Sequence, residues 1–405
     1  MQRTFAAACA LLLTMAVAGC GPGDTCSGTC GASFSFGTSP LVISSTAGVQ
    51  APPVQVQLSG TAGAAFAISC DGDFTVTPTS GALAGGSIEL SLQPPLQPVV
   101  GTFRPSCTVA PTPGAQAAAQ LSIIVVNDAP IPDAGPPAGP VGADGGSVDH
   151  LYFAVVGDSR PNDIDVVSEY PTAVITQIYQ DIEAMNPRPQ FVVGTGDYIY
   201  ANTNAYTAQP QASLYMQARA AYSWGFFPAM GNHECDGYTA DNCTVNQTQN
   251  NQVFMQTILG PLGISLPYYS IPISAPDNSW TAKLVVIACN AWDSTQQAWL
   301  DSTLAQATTY TLLVRHEPAE ANTGPCVNSV EQEMTAQPYD LSLVGHTHEF
   351  KGQAGVKEIV VGNGGAPLDN SGTFGYVTVE RLSSGWQIID YDASTALPVT
   401  SFLVP

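Results

Sequence analysis

The sequence predicts a small all-β domain over residues 33–127 and a larger, layered α/β domain over residues 150–405. Three observations lead to this division. The first region contains short apolar or alternating runs without helical periodicity, whereas β-like runs alternate with longer helical patterns in the second. Pro and Gly dominate the intervening residues 128–149, which we interpret as an extended linker. A chain of 405 residues is long enough for two or three domains.

The amino terminus has the pattern of a targeting segment. Residues 1–19 contain Arg3 and then an apolar run that is too short to favour a transmembrane helix, as in a secretory signal peptide. The ending Val17-Ala18-Gly19-Cys20 is similar to the lipobox of bacterial lipoproteins, in which the signal is removed before a cysteine that carries lipid. We therefore expect a lipidated tether over residues 20–32 and a protein anchored in the bacterial cell envelope, periplasmic or at the cell surface. An ordinary signal with an incidental Cys20 is the alternative.

The cysteine content agrees with export. Of the ten cysteines, Cys9 lies in the signal and Cys20 would carry lipid, which leaves an even number for disulfides outside the cytosol. Ligation of a metal by thiolates is the competing interpretation, but no paired CxxC spacing supports it. Proximity and domain limits favour the pairs Cys26–Cys30, Cys70–Cys107, Cys235–Cys243 and Cys289–Cys326.

The charge balance excludes two classes of partner. Lys and Arg total 10 against 32 Asp and Glu, which gives a formal net charge of -22. A basic nucleic-acid surface and a polybasic membrane patch are therefore not expected.

The first domain has the pattern of a β-sandwich. Val54 to Leu58 alternates strictly between apolar and polar residues, as a half-buried strand should. With frequent Gly, Pro, Thr and Ser between runs, the pattern favours an immunoglobulin-like domain. The region contains no His and few acids, so we expect a spacer or adhesion module. The predicted strands are 40–44, 54–58, 64–69, 87–92 and 121–126.

The second domain alternates strands with helices, as a layered α/β fold requires. The predicted strands are 151–156, 190–194, 283–288, 310–314, 341–344 and 357–361, with two final strands at 374–381 and 385–391. The predicted helices are 170–185, 211–222, 248–258, 296–307 and 328–337.

Polar residues follow the apolar strands of this domain in five places. Four of the chain's five histidines lie in these turns, together with two aspartates and an asparagine. Ligands bind at the carboxyl ends of strands in open α/β sheets, and the neighbouring glycines permit sharp turns. Oxygen and imidazole donors without thiolate suit Zn, Fe, Mn or Ni, and a shared carboxylate can bridge two ions that activate water. The turns are Gly157-Asp158-Ser159-Arg160, Gly196-Asp197-Tyr198-Ile199-Tyr200, Gly231-Asn232-His233-Glu234, Arg315-His316-Glu317-Pro318 and Gly345-His346-Thr347-His348.

These motifs, GD, GD, GNHE, H and GHTH in that order over residues 151–365, resemble the calcineurin-like metallophosphoesterase superfamily. The resemblance implies a layered β-sandwich flanked by helices and two metal ions, Fe, Zn or Mn. Many members have His where Arg160 stands. The purple acid phosphatase branch lacks that His and uses a tyrosine ligand at the position of Tyr200, so the motifs are closest to that branch, although it has Gly at position 160.

Carried onto this sequence, the resemblance assigns seven ligands. The first metal would take Asp158, Asp197, Tyr200 and His348, and the second Asp197, Asn232, His316 and His346, with Asp197 bridging. His233 would assist the leaving group, and Glu234 would fix the orientation of a histidine. A tyrosinate ligand would favour Fe(III), whereas a Tyr200 that packs in the core would favour a Mn or Zn pair.

Together with the signal pattern of residues 1–20, the resemblance implies a secreted, lipid-anchored phosphatase that hydrolyses small phosphate esters by a metal-bound hydroxide. Arg160 would clamp the phosphate, with a salt bridge to a nearby acid as the alternative. A salt bridge is the favoured role for Arg315. Two other functions stay open: a surface binding or adhesion lipoprotein whose phosphoesterase-like domain is non-catalytic, and a phosphodiesterase or nucleotidase of the same superfamily.

Overall fold

The computed structural model of the chain describes residues 32–97, 100–111, 118–128, 139–203, 206–243, 248–369 and 372–405. The predicted signal peptide, the lipid site at Cys20 and the pair Cys26–Cys30 lie outside these ranges. Within these ranges, no helix combines the length and the apolar character needed to span a bilayer.

The first domain consists of strands arranged in two sheets. The described residues give a four-stranded sheet in the order β1-β3-β7-β5 and a second sheet in the order β2-β10-β9-β4-β6, in which β8 also pairs with β10. All five predicted runs are strands, and the strands that were not predicted are mostly three residues long, too short for a visible alternation. The strands are β1 Phe34–Phe36, β2 Leu41–Thr46, β3 Val54–Gly60, β4 Ala65–Cys70, β5 Thr75–Thr77, β6 Ser80–Ala82, β7 Ser87–Gln93, β8 Gly101–Phe103, β9 Ser106–Ala110 and β10 Ala119–Asp128.

The core of this domain is formed by alternate residues of its strands. Val56 and Leu58 of β3 are buried whereas Gln55 and Gln57 are exposed, as the sequence alternation predicts. The predicted disulfide Cys70–Cys107 forms between paired residues of β4 and β9. The all-β character is therefore confirmed, and the immunoglobulin-like topology stays a prediction.

Part of the predicted linker is folded. Within residues 128–149 the structure forms β11 Val141–Gly142 and β12 Gly145–Ser147, and β12 pairs in parallel with β16 of the second domain. Val141 and Val148 are buried in that domain's core. Glycine is required here because a side chain at Gly146 would collide with the Pro140 carbonyl, so the composition that indicated a linker instead permits close packing.

Two sheets build the second domain. In the described residues one sheet has the order β11-β12-β16-β17-β18-β19-β21-β20 and the other β15-β14-β13-β22-β23-β24. The strands after β12 are β13 Tyr152–Val156, β14 Phe191–Gly194, β15 Gly225–Pro228, β16 Tyr269–Ser274, β17 Thr281–Val286, β18 Tyr310–Val314, β19 Leu341–Val344, β20 Phe350–Lys351, β21 Glu358–Val361, β22 Gly375–Leu382, β23 Gly385–Asp392 and β24 Leu397–Val404. The helices are α1 Thr172–Ala184, α2 Ala208–Arg219, α3 Gln249–Val253 with a π-helical continuation Phe254–Leu259, α4 Ser294–Leu304 and α5 Val327–Ala336.

Alternate residues of the central strands serve two different layers. Leu284 and Val286 of β17 join one apolar cluster with side chains of the other sheet, whereas Val285 packs with residues of α4 and α5. The result is a pair of sheets around a shared core with helices outside, in agreement with the predicted layered α/β fold. Every strand and helix predicted for this domain is present within a few residues of its predicted bounds. The disulfides Cys235–Cys243 and Cys289–Cys326 also form as predicted.

Candidate metal centre

The predicted polar turns meet at one edge of the domain. Strands β13, β14 and β15 run parallel in one sheet, as do β18 and β19 in the other, so the turns that follow them share a side. Asp158, Asp197, His346 and His348 have φ of 55°, 59°, 77° and 41°. These left-handed conformations direct their side chains into the space between the two sheets' ends, at a cost in backbone strain that often marks functional sites.

One group of ligand atoms comes from Asp158, Asp197 and His348. Their nearest oxygen and nitrogen atoms all lie within 4.8 Å of one another. His348 Nδ1 is 2.9 Å from the Pro367 carbonyl, to which it donates its proton. The lone pair of Nε2 is therefore directed at the carboxylates, and the group suits a cation held by two oxygens and an imidazole.

A second group lies beside it and consists of Asn232, His316 and His346. Asn232 Oδ1 is 3.0 Å from His316 Nε2 and 3.1 Å from His346 Nδ1, and these two nitrogens are 3.2 Å apart. His316 Nδ1 donates its proton to the Thr195 carbonyl at 2.8 Å. When His316 is neutral, its Nε2 faces Asn232 Oδ1 and His346 Nδ1 as a third acceptor, and a cation is the partner that this arrangement fits.

Asp197 connects the two groups. Its Oδ1 lies 3.3 Å from His316 Nε2, and its Oδ2 lies 3.7 Å from His233 Nε2 and 3.9 Å from Arg160 Nε. Burial opposes its ionisation, but the charges of His316 and His233 outweigh this and hold its pKa well below the usual range. An ionised carboxylate between two groups of donors is what a bridging ligand requires.

Burial sets the protonation of the other site residues. It raises the pKa of Asp158 to about 8 and lowers the pKa of His346 to about 4. For His316 burial acts to lower the pKa, but the Asp197 carboxylate outweighs it and raises the pKa well above the ordinary value. Without a metal, His316 is therefore protonated, and its positive charge compensates the negative charge of Asp197. His346 is neutral, so one of its ring nitrogens keeps a free lone pair.

Arg160 lies inside the centre rather than on the surface. Its Nη2 is 3.3 Å from His348 Nε2, and its guanidinium carbon stands 4.4 Å from the centroid of the Tyr200 ring. Both predicted roles remain compatible with this place, because the guanidinium approaches Asp197 and lies among the candidate ligands. Arg315, by contrast, pairs with Glu331 and with Glu358, as predicted.

Tyr200 and His233 line the same space. The two rings meet edge to face with centroids 4.6 Å apart. The His233 backbone amide also donates to Asp197 Oδ1 at 3.2 Å, which places its ring next to the bridging carboxylate. The structure thus puts Tyr200 at the centre's edge, and its service as a ligand stays a prediction.

The expected role of Glu234 was wrong. Its carboxylate contacts backbone amides instead of a histidine: Oε2 accepts from Gly231 and Asp197 at 2.8 and 2.9 Å, and Oε1 accepts from Tyr198 and Ile199 at 2.8 and 3.2 Å. Glu234 therefore shapes the turn that carries Asp197. A sequence motif shows that a carboxylate is present, but it does not show whether backbone or side-chain donors surround it.

Sequence reasoning also missed the groups that contact and orient the candidate ligand histidines. These are the carbonyls of Thr195 and Pro367, and the hydroxyl of Thr239, whose Oγ1 lies 3.1 Å from His346 Nε2. Thr239 belongs to a segment in which the sequence showed no motif, so local pattern offered no signal for it.

Residues 151–350 match the sequence model of a family described as calcineurin-like phosphoesterase. No curated protein matches the chain. Solved structures give matches of low overall similarity. The GAP50 anchor of the Plasmodium inner membrane complex is 14% identical, with a TM-score of 0.46, over 64% of this chain and 89% of that one. A 5'-nucleotidase from Candida albicans is 10% identical, with a TM-score of 0.38, over 63% and 55%. A predicted phosphoesterase from Streptococcus pneumoniae is 10% identical, with a TM-score of 0.29, over 61% and 92%.

Proposed function

We propose that this chain, in which residues 151–350 form a calcineurin-like phosphoesterase domain, is a dinuclear metal-dependent phosphatase. One observation carries the proposal: two groups of candidate ligand atoms lie side by side, and the buried Asp197 carboxylate contacts both. Two metal ions bound there would lower the pKa of a bound water and offset charge on the leaving oxygen.

The chain's own residues supply binding and proton transfer. Arg160 borders the centre and presents N–H donors that suit two phosphate oxygens. Its release from His348 Nε2 would free that nitrogen for a metal and the guanidinium for substrate. His233 Nε2 lies on the Asp197 Oδ2 side of the centre, where it could give a proton to the departing oxygen.

The substrate we propose is a small phosphate ester. The net charge of -22 disfavours long-range attraction of a polyanion such as nucleic acid. Attraction of a single phosphate group must then be local, from bound metals and Arg160. We further propose that the protein is exported and lipid-anchored at Cys20, which the signal-like residues 1–19 and the three disulfides support.

A second candidate is a surface binding lipoprotein whose phosphoesterase-like domain is not catalytic. The observation that favours it is the approach of Arg160 Nη2 to His348 Nε2, because a guanidinium held there would compete with the first metal ion. Turnover separates the two candidates.

The test is hydrolysis of p-nitrophenyl phosphate and bis(p-nitrophenyl) phosphate across pH with Fe, Zn, Mn or Ni supplied. We expect the monoester to be hydrolysed faster than the diester, and His346→Ala to lose this activity. A faster diester reaction would move the proposal to a phosphodiesterase. No turnover of either ester with any metal would favour the binding lipoprotein.

A further inference from the structure

The loop closed by the Cys235–Cys243 disulfide contacts two residues of the second ligand group. Asn232 Nδ2 donates to the Gly237 carbonyl at 2.9 Å, and Thr239 Oγ1 lies 3.1 Å from His346 Nε2. We propose that this disulfide loop presets the second metal position, with Thr239 as the positioning residue for His346. The inference rests on the proposed function, because it concerns the same centre.

With the Thr239 hydroxyl as the acceptor, this contact holds His346 in the tautomer that a metal needs. A neutral imidazole carries one N–H, and only the tautomer with the proton on Nε2 leaves the Nδ1 lone pair free for a metal. Nδ1 faces Asn232 Oδ1 at 3.1 Å, so a proton there would donate to the amide oxygen and block the site. A hydroxyl that accepts from Nε2–H favours the tautomer that binds metal.

The same loop settles the orientation of the Asn232 amide. Because Nδ2 donates to the Gly237 carbonyl, Oδ1 is turned towards His316 and His346. The Gly237 amide also donates to the Asn232 carbonyl at 3.0 Å. The loop therefore fixes both the oxygen of Asn232 and the nitrogen of His346 that point at the second metal position.

The loop is itself held independently of the ligands. Asn290 Nδ2 donates to the carbonyls of Thr239 and Asp241 at 3.2 and 2.7 Å. Asn290 is fully buried and follows Cys289, which is joined to Cys326. The Cys235–Cys243 disulfide thus closes the loop around Thr239, and Asn290, next to the Cys289–Cys326 disulfide, holds the loop from outside. These contacts give the Thr239 hydroxyl a fixed place before any ion binds.

The first metal position has a different support. His348 is oriented by the Pro367 carbonyl, which follows β21 and lies outside the loop. A change at Thr239 should therefore lower the affinity for the second metal ion and leave the affinity for the first unchanged. This selectivity separates a positioning role from general destabilisation.

The experiment is a Mn²⁺ titration of the metal-stripped full chain, followed by calorimetry, for wild type, Thr239→Val and Thr239→Ser. We expect Thr239→Val to weaken one of two binding events by about 10- to 100-fold and leave the other within about threefold, while Thr239→Ser restores wild-type binding. Valine has nearly the shape of threonine and the site is only half-buried, so folding should persist. Co²⁺ absorption should report altered coordination at one ion only.

One control variant and three outcomes define failure. Tyr238→Phe, at the exposed neighbour of Thr239, should bind both ions as wild type does. Equal binding by Thr239→Val and wild type, equal weakening of both ions, or the same loss in Tyr238→Phe would overturn the inference. A wild-type chain that binds two ions in this Thr239-dependent way but hydrolyses no phosphate ester would defeat the proposed function and support the inference.

Discussion

The two β-rich regions of this chain are built from similar apolar strands but differ in the turns that the strands lead into. In the first domain most strands pair antiparallel, and their turns carry Gly, Pro, Ser and Thr. In the second, parallel strands bring their carboxyl ends to one edge, and Asp, Asn and His come directly after them. All five histidines lie at or after His150. The position of the candidate site is therefore determined by the direction of the strands and by the composition of the turns that follow them. The apolar strands hold these turns in place but contribute none of the site's polar side chains.

The sharpest test of this contrast is the loss of one carboxylate in each region. Asp197→Asn removes the charge shared by the two ligand groups, and we expect kcat/KM for p-nitrophenyl phosphate to fall by at least about a thousandfold. Glu89→Gln, at an exposed position of β7, should leave turnover unchanged. Comparable losses in both variants would remove the distinction between the regions.

The next largest effect concerns the stability that residues 139–149, at the boundary between the two regions, contribute to the second domain. A fragment of residues 139–405 keeps β11 and β12, whereas residues 150–405 lack them and the buried Val141 and Val148. Each buried valine contributes about 1.5–3 kcal/mol, so the shorter fragment should lose roughly 3 kcal/mol or more of unfolding free energy. Urea unfolding of both fragments measures this. Equal unfolding free energies for the two fragments would support the original interpretation of residues 139–149 as part of the linker.

Arg160 offers a smaller effect on binding. Arg160→Gln keeps polar donors but removes the charge, and we expect KM for a phosphate ester to rise about 10- to 100-fold with a smaller change in kcat. Arg188→Gln is the matched control, because Arg188 pairs with Glu183 and stacks on Trp224, and neither is a site residue. A fall in KM or an increase in bound metal in Arg160→Gln would show instead that the guanidinium competes with the first ion.

The smallest effect concerns stability away from the centre. Burial raises the pKa of Asp390 to about 7, so the folded state binds a proton that the unfolded state releases above its ordinary pKa near 3.8. Stability should therefore fall as pH rises between these values, and Asp390→Asn should stabilise the protein at pH 8 by about 1–2 kcal/mol and add nothing at acid pH.

Asp392 is the matched control for that change. Hydrogen bonds from Ser394 lower its pKa, so its contribution has the opposite sign: it is present above the unfolded pKa and lost as pH falls. Asp392→Asn should therefore be slightly destabilising at pH 8. Thermal midpoints across pH measure both variants, and a stabilising Asp392→Asn or a neutral Asp390→Asn would contradict the assignment.

Much of this architecture could be predicted because its signals are local. Continuous apolar runs such as 310–314 and 341–344 became β18 and β19 with unchanged bounds, and the residues after them were found together. The contacts that orient ligands could not be predicted, since Glu234 meets backbone amides and Thr239 reaches His346 across more than a hundred residues. The strands at 141–147 were hidden by a composition typical of linkers, because glycine serves close packing as well as flexibility.

The most direct test of the central claim is a metal reconstitution of the full chain. Protein stripped with a chelator receives Mn²⁺ in steps while bound metal and hydrolysis of p-nitrophenyl phosphate are measured together. We predict no hydrolysis by the stripped protein and activity that rises to a plateau near two bound ions per chain. In Asp197→Asn we expect neither the binding of two ions nor the rise in activity. Full hydrolysis by the stripped protein, or two bound ions without hydrolysis of any phosphate ester, would contradict the account.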